Sequence, residues 1–189
     1  MSFSFVLPYA LLALLGLVEL PALGRKRPES ERRDAGSFWV FNLVVGGAFF
    51  VAFFVANTTR IGAMDEPLAT LARALAIVLG VAGAAVRTWA ISTLGRYFTR
   101  TVQVSSDQPV IENGPYKLIR HPSYTGLGFL FISIALALTN WISLALCVVS
   151  SVIAAVYRIR VEEAALVQAI GAPYAEYMRR TKRLIPYIF

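Results

Sequence analysis

Histidine and cysteine are nearly missing from this chain. Its 189 residues hold one of each, His121 and Cys147. One cysteine cannot close a disulfide within the chain, and a single histidine beside it leaves only carboxylates to complete a metal site, so no metal is expected. Cys147 lies in an apolar run and reads as a small buried or lipid-facing residue. Charged residues are scarce at 15%. No GxGxxG follows an extended run and no GxxxxGK[ST] occurs, which excludes a soluble Rossmann or P-loop nucleotide domain. A cofactor would have to bind between helices and surface loops.

Apolar residues are plentiful. They make up 57% of the chain, with a mean hydropathy of +0.63, against roughly 45–50% in a soluble domain. They gather in blocks longer than a 20.7 kDa globule can bury, so the expected solvent is a bilayer. Lys and Arg number 18 against 11 Asp and Glu. The basic residues flank the apolar blocks, so anionic lipid headgroups, not nucleic acid, are the expected counter-charge.

A spanning helix needs about 20 mainly apolar residues. Residues 3–23, 38–57 and 71–91 qualify, although Glu19 and Pro21 interrupt the end of the first. No basic residue precedes the first run and no small-residue cleavage pattern follows it, so a signal peptide is not expected. In the third, Ala76, Gly80 and Ala84 recur every four residues. This is either a face for close helix approach or plain alanine richness. Residues 127–138 would make a helix of roughly 18 Å. With 142–157 they form a short helical hairpin around Thr139-Asn140-Trp141.

The expected fold is an all-α integral membrane protein of five transmembrane helices. Basic residues orient it. Arg25, Lys26, Arg27, Arg32 and Arg33 crowd the first connection, and the second carries Arg60 alone. Segment 92–125 carries Arg96, Arg100, Lys117 and Arg120, the hairpin turn has none, and the tail has Arg158, Arg160, Arg179, Arg180, Lys182 and Arg183. This pattern places the N-terminus outside, and brings the loop over 92–125 and the C-terminal tail together on the cytoplasmic side.

Those two polar regions carry the chemistry. Thr101-Val102-Gln103-Val104 alternates like a short strand. Pro122 biases His121 toward extended backbone, and the next helix is expected to start near Ser123 or Tyr124, with Ser123 as its cap. A helix start there favours an anion. His121 reads as a structural hydrogen-bonding residue or as a cofactor contact. The fifth helix is expected to run on through Ala169 to a stop at Gly171. Arg158 with Glu162 and Arg160 with Glu163 stand about one turn apart, as surface ion pairs or as one side of a zwitterion site. Residues 173–181 read as an amphipathic helix on the headgroup plane.

Gly114-Pro115-Tyr116, Arg120-His121-Pro122-Ser123-Tyr124-x-Gly126, Asn140, Arg158…Glu162-Glu163-x-x-Leu166, Gly171-x-x-Tyr174-x-x-Tyr177 and Arg183-Leu184-Ile185-Pro186 together resemble the isoprenylcysteine carboxyl methyltransferase family. That family sits in a wider group with integral-membrane phospholipid methyltransferases. The resemblance covers 95–189, and the first two spans show no motif of it. It implies a division into three N-terminal transmembrane helices over 1–91 and a catalytic core over 92–189. It also implies a membrane-embedded cage around S-adenosylmethionine, closed at the cytoplasmic surface, with a lipid-side opening for a lipophilic or prenylated acceptor. By it Tyr116, His121, Pro122, Tyr124, Gly126 and Glu163 line the cofactor, and Arg158 holds an acceptor carboxylate. The family often has histidine where Gln108 stands and glycine where Ser133 stands. Both departures bear on substrate more than on fold.

The chemistry so implied is in-line displacement at a sulfonium, where positioning dominates. Glu163 suits the cofactor's ammonium, and His121 with the helix-start N–H groups suits its carboxylate. Tyr116 or Tyr124 suits the adenine or ribose. A carboxylate acceptor needs no base, and Arg158 would orient it by a bidentate pair. An amine acceptor, as in phospholipid N-methylation, needs a base, for which His121 or Glu162 is the candidate. Sterol reductases that use NADPH share the RH-P-x-Y-x-G stretch. Theirs reads NYxGE, whereas here Ser123, Tyr124, Gly126 and Leu127 stand with no acid following. A non-enzymatic membrane scaffold is the remaining alternative.

Overall fold

The structure, a computed structural model, describes residues 3–23, 31–32, 34, 36–104 and 109–188. Arg25, Lys26, Arg27, Arg33 and Gln108 lie outside the described residues. Six helices follow in order: α1 (Phe3–Glu19), α2 (Ser37–Thr58), α3 (Leu68–Leu94), α4 (Pro122–Ala137), α5 (Trp141–Ile170) and α6 (Ala172–Arg180). Two short strands, β1 (Glu31–Arg32) and β2 (Gln103–Val104), pair antiparallel. The second half of the alternation at 101–104 is thus a strand, and its partner is the segment before α2. Val102 and Val104 turn inward against Ala165.

Among the described residues three helices are long and apolar enough to cross a membrane: α2, α3 and α5. The other two apolar helices, α1 and α4, have 17 and 16 residues. Large apolar side chains point outward around the bundle, among them Leu43, Phe50, Val78, Val81 and Ile153. In water such a surface would aggregate, whereas in lipid it needs no cover. The 30 residues of α5 span about 45 Å, beyond a hydrocarbon core of about 30 Å. One end of α5 therefore stands clear of the hydrocarbon.

Helix α3 packs along α4, α2 along α5, and α1 against both α3 and α4. The small residues of α3 do form its inner face, but through Ala69, Ala72, Ala76, Gly80 and Gly83, with Ala84 half-buried. A Cβ on Gly83 would stand 2.8 Å from the Gly126 carbonyl oxygen, and one on Gly126 would stand 2.6 Å from the Arg87 backbone nitrogen. The two glycines let the backbones of α3 and α4 touch. Ser133 sits fully buried on the same interface, 3.4 Å from where a Gly80 Cβ would be.

At the other end of the hairpin, Asn140 caps α5 by accepting the Ser143 N–H at 3.0 Å. Its amide donates to the Ile61 carbonyl at 2.9 Å, and the Trp141 N–H reaches the Gly62 carbonyl at 2.8 Å. This ties the α4–α5 turn to the connection between α2 and α3. Helix α5 ends at Gly171, with φ 76°, as its sequence suggests.

Candidate functional site

The stretch before α4 is held from two sides. Gly114, at φ 55°, starts a 3-10 turn over Gly114–Lys117 that buries Pro115 and Tyr116. Beyond it the tail runs alongside: the Arg120 N–H donates to the Lys182 carbonyl at 2.8 Å and the His121 N–H to the Arg183 carbonyl at 2.9 Å. The Tyr177 hydroxyl donates to the Tyr116 carbonyl at 2.6 Å. Helix α6 is amphipathic as expected, but its tyrosines Tyr174 and Tyr177 are buried on the loop while Arg179 and Arg180 face out.

Helix α4 begins at Pro122, with His121 at the capping position, one or two residues earlier than the sequence suggests. Proline at the first helical position has its φ already set and no N–H to satisfy. Ser123 therefore does not cap the helix. Its carbonyl accepts from Arg87 at 3.0 Å, and its hydroxyl accepts from the same guanidinium.

A cavity of about 910 Å³ opens beside this loop, a size suited to a sizeable organic ligand. Its polar end is lined by Tyr116, His121, Tyr124, Arg158, Glu162 and Tyr174. Its apolar end lies between α1 and α2, with Leu12, Leu15 and Gly16 on one wall and Phe41, Val45 and Gly46 on the other. Phe131 of α4 stacks at 5.3 Å against Phe49 and at 6.3 Å against Phe41. Tyr9 and Phe53, 5.7 Å apart, bring α1 and α2 into contact further along.

Two groups at the polar end await partners. The Tyr116 hydroxyl is buried with no hydrogen bond among the described residues. Burial pushes its phenol well above the ordinary value, and the nearby Glu162 charge adds to this, so it stays protonated and able to donate. Glu162 accepts from the Tyr124 hydroxyl at 3.0 Å but has no cationic partner among the described residues. A buried donor and a lone carboxylate facing one cavity are each costly unless a ligand completes them.

Glu163 is the opposite case. It lies behind the cavity lining, where Oε1 accepts from Arg120 Nε at 3.0 Å and His121 Nε2 at 3.3 Å. Its Oε2 accepts from Arg183 at 3.0 and 2.7 Å. A carboxylate only accepts, so Nε2 of His121 carries a hydrogen. The sequence-derived ion pairs, Arg158 with Glu162 and Arg160 with Glu163, do not form among the described residues. Longer-range partners take Arg158, Glu162 and Glu163 instead.

The structure thus brings Tyr116, His121, Tyr124, Arg158 and Glu162 to one cavity. It sets Pro122, Gly126 and Glu163 apart from it: Pro122 starts α4, Gly126 touches α3, and Glu163 clamps the loop to the tail. Three further ionised groups join the site that sequence reading did not single out. Arg87, in mid-α3, donates to Glu19 at 2.8 Å as well as to Ser123. Arg158 donates from Nη1 to Asp34 at 3.1 Å and Ser37 at 3.0 Å, and from Nη2 to the Arg100 carbonyl. Arg87 carried a usable signal, since a charge inside an apolar span is functional by default. Asp34 carried none, standing in a connection notable only for its basic residues.

An apolar helical bundle with outward-facing hydrophobes and a half-polar, half-oily cavity defines an integral membrane protein. The family model for isoprenylcysteine carboxyl methyltransferase (ICMT) matches residues 75–168. A protein-S-isoprenylcysteine O-methyltransferase of Saccharomyces cerevisiae is 35% identical over 125 residues, 63% of this chain and 52% of the relative. One of Tribolium castaneum is 32% identical over 110 residues, 57% of this chain and 39% of the relative. The solved structure of the eukaryotic intramembrane Ras methyltransferase ICMT shares the fold with a TM-score of 0.56 at 23% identity, over 96% of this chain and 62% of that one. The chain belongs to the isoprenylcysteine carboxyl methyltransferase family. It spans about half the length, or less, of these two curated relatives.

Proposed function

We propose that this protein is an integral-membrane methyltransferase that uses S-adenosylmethionine to esterify a lipophilic carboxylate, of the isoprenylcysteine type. The observation that carries this reading is one cavity whose polar end holds Glu162 and the Tyr116 hydroxyl, the first without an ion pair and the second without a hydrogen bond among the described residues, and whose other end is apolar. The family relatives named as O-methyltransferases support it.

The residues present fit the cofactor. When bound, it supplies an electrophilic methyl group on a sulfonium. Glu162 is the counter-charge for its ammonium, a role that Glu163, already saturated by three partners, is poorly placed to fill. The Tyr116 hydroxyl donates to an acceptor atom of the same ligand. His121, with Nε2 committed to Glu163, turns the rest of its ring to the cofactor. Tyr124 orients Glu162 and supplies an aromatic face.

Arg158 stands where the polar and apolar parts of the cavity meet. Its Nε–H has no partner among the described residues and is available to an acceptor carboxylate. Such an acceptor is already anionic at neutral pH, so no base is required, and the chain's contribution is orientation and exclusion of water. The hydrocarbon part of the acceptor fits between α1 and α2. Residues 92–189 would then hold the cofactor, and 1–91 would wall the acceptor. The basic residues around the polar end favour its placement on the cytoplasmic side, with five crossings and the N-terminus outside.

The purified chain in lipid is expected to transfer a labelled methyl group from S-adenosylmethionine to a prenylcysteine free acid, and to bind S-adenosylhomocysteine but not NADPH. Binding of NADPH in place of S-adenosylhomocysteine would overturn the reading in favour of a reductase. Label appearing only in amine headgroups of a lipid extract would move the acceptor to phospholipid nitrogen.

Tyr116→Phe makes a sharper check on the cofactor site. Losing a buried hydroxyl that has no partner should leave thermal stability unchanged or slightly raised. Losing the ligand's donor should weaken S-adenosylhomocysteine by about 5- to 10-fold, the usual worth of one hydrogen bond. Calorimetry and a melting curve on the same variant read both. An equal fall in both would mean that the hydroxyl supports the fold instead.

A further inference from the structure

We propose that Asp34 is a positioning residue of the acceptor site, a built-in counter-charge that holds Arg158 and keeps the buried site electrically balanced before and after transfer. This rests on the functional reading above and adds a residue from the half of the chain that carries no family motif.

Asp34 is 1% exposed. Its Oδ1 accepts from Arg158 Nη1 at 3.1 Å, the Ser37 hydroxyl at 3.0 Å and the Val102 N–H at 3.3 Å. Its Oδ2 accepts the Phe38 N–H at 3.1 Å. Capping α2 would need only the bonds to Ser37 and Phe38. The remaining two tie Asp34 to the start of β2 and to the cavity-lining guanidinium on α5. Burial alone would raise its carboxyl, but the two backbone N–H donors and the Arg158 charge outweigh it and hold it below the ordinary value. Asp34 is therefore an anion at neutral pH.

The charge balance gives the pair its purpose. A sulfonium and a carboxylate enter the site. The carboxylate oxygen forms a bond to the methyl carbon as the carbon–sulfur bond breaks, and that electron pair goes to sulfur. A neutral thioether and a neutral ester leave. Arg158, 6% exposed, keeps its charge throughout. Without Asp34 the guanidinium would face the free acid opposed only by the charge of Glu162, which the cofactor's ammonium claims, and would be left without a hydrogen-bonded counter-charge once the ester formed. With Asp34 in place Arg158 is neutralised in both states. It holds the acid weakly enough to react, and the loss of the acid's charge leaves nothing unpaired. Asp34 at Nη1 and the acceptor at Nε–H thus share the charge of one guanidinium.

The test compares the full chain and Asp34→Asn in nanodiscs. It measures affinity for an N-acylated S-prenylcysteine as free acid and as methyl ester, together with kcat and KM. Asp34→Asn is expected to bind the free acid about tenfold more tightly, one charge partner removed, with ester affinity unchanged. KM and kcat should both fall. Loss of a merely structural residue would weaken acid and ester alike. The acid-to-ester ratio is read only from folded protein, so partial unfolding does not blur it. Should Asp34→Asn fail to fold, Ser37→Ala decides. It loosens Asp34 from Arg158 and should shift the ratio the same way by a smaller factor. An unchanged ratio in the folded variant, beside an active parent, overturns the role of Asp34 and leaves the functional reading standing. A parent chain that binds neither S-adenosylhomocysteine nor the acid overturns both.

Discussion

Glu162→Gln is expected to weaken S-adenosylhomocysteine by about 30- to 100-fold, the worth of one hydrogen-bonded charge pair in a partly buried site. The fold should survive. Glu162 is half-buried, and its only partner among the described residues is the Tyr124 hydroxyl, which can bond a glutamine as well. The neighbouring Glu163→Gln should do the reverse. Glu163 ties Arg120, His121 and Arg183 together, so its neutralisation leaves three donors around an uncharged amide and loosens the tail from the loop. A lower melting temperature is the expected primary effect there, with cofactor affinity falling as a consequence. Calorimetry with S-adenosylhomocysteine and melting curves on both variants separate the two roles. If Glu162→Gln keeps full affinity, the ammonium is held elsewhere and this reading of the cavity fails.

Gly126→Ala should be the most damaging single methyl group in the molecule. The added Cβ would meet backbone, with Arg87 N at 2.6 Å, Arg87 Cα at 2.9 Å and the Gly83 carbonyl oxygen at 2.9 Å. No side-chain rotation relieves such a contact, so α3 and α4 must move apart. Overpacking of this kind costs about 1–3 kcal/mol, and each kcal/mol lowers the melting temperature of a chain this size by about 2–4 °C. The contact lies beside Arg87 and Ser123, so cofactor affinity should fall with stability. Gly16→Ala and Gly46→Ala are the controls. Both glycines line the cavity, and an added Cβ meets nothing within 4 Å. Their melting temperatures should match the parent's.

Much of the architecture was legible because lipid imposes a simple rule. Apolar runs of sufficient length become helices, and the five runs are α1 to α5. The strand at 103–104 and the stop at Gly171 were legible because each depends on neighbours in sequence. The site was legible only in part, for a physical reason. Glu162 and Glu163 are adjacent on a helix, about 100° apart around its axis. Which one faces the cavity depends on how α5 is rotated against α4, and no local pattern encodes that. Sequence reading gave the ammonium to Glu163, whereas the arrangement of partners favours Glu162. Gly126 was itself read as lining the cofactor, and its packing role emerges only when Gly83 is seen across the interface. Asp34 and Arg158 are 124 residues apart, and Glu19 and Arg87 are 68 apart. Pairs so distant become visible only once the helices are assembled.

The division of the cavity into a polar end and an apolar end between α1 and α2 has a kinetic consequence. In the methyltransferase proposed above, the two ligands arrive from different phases. One is counted in moles per litre of water, the other as a mole fraction of the bilayer. Diluting the membrane with inert lipid at fixed total acceptor should therefore slow the enzyme, although nothing in the aqueous phase has changed. Adding buffer at a fixed acceptor-to-lipid ratio and fixed cofactor concentration should leave turnover per enzyme untouched. The meaningful Michaelis constant for the acceptor is a surface density.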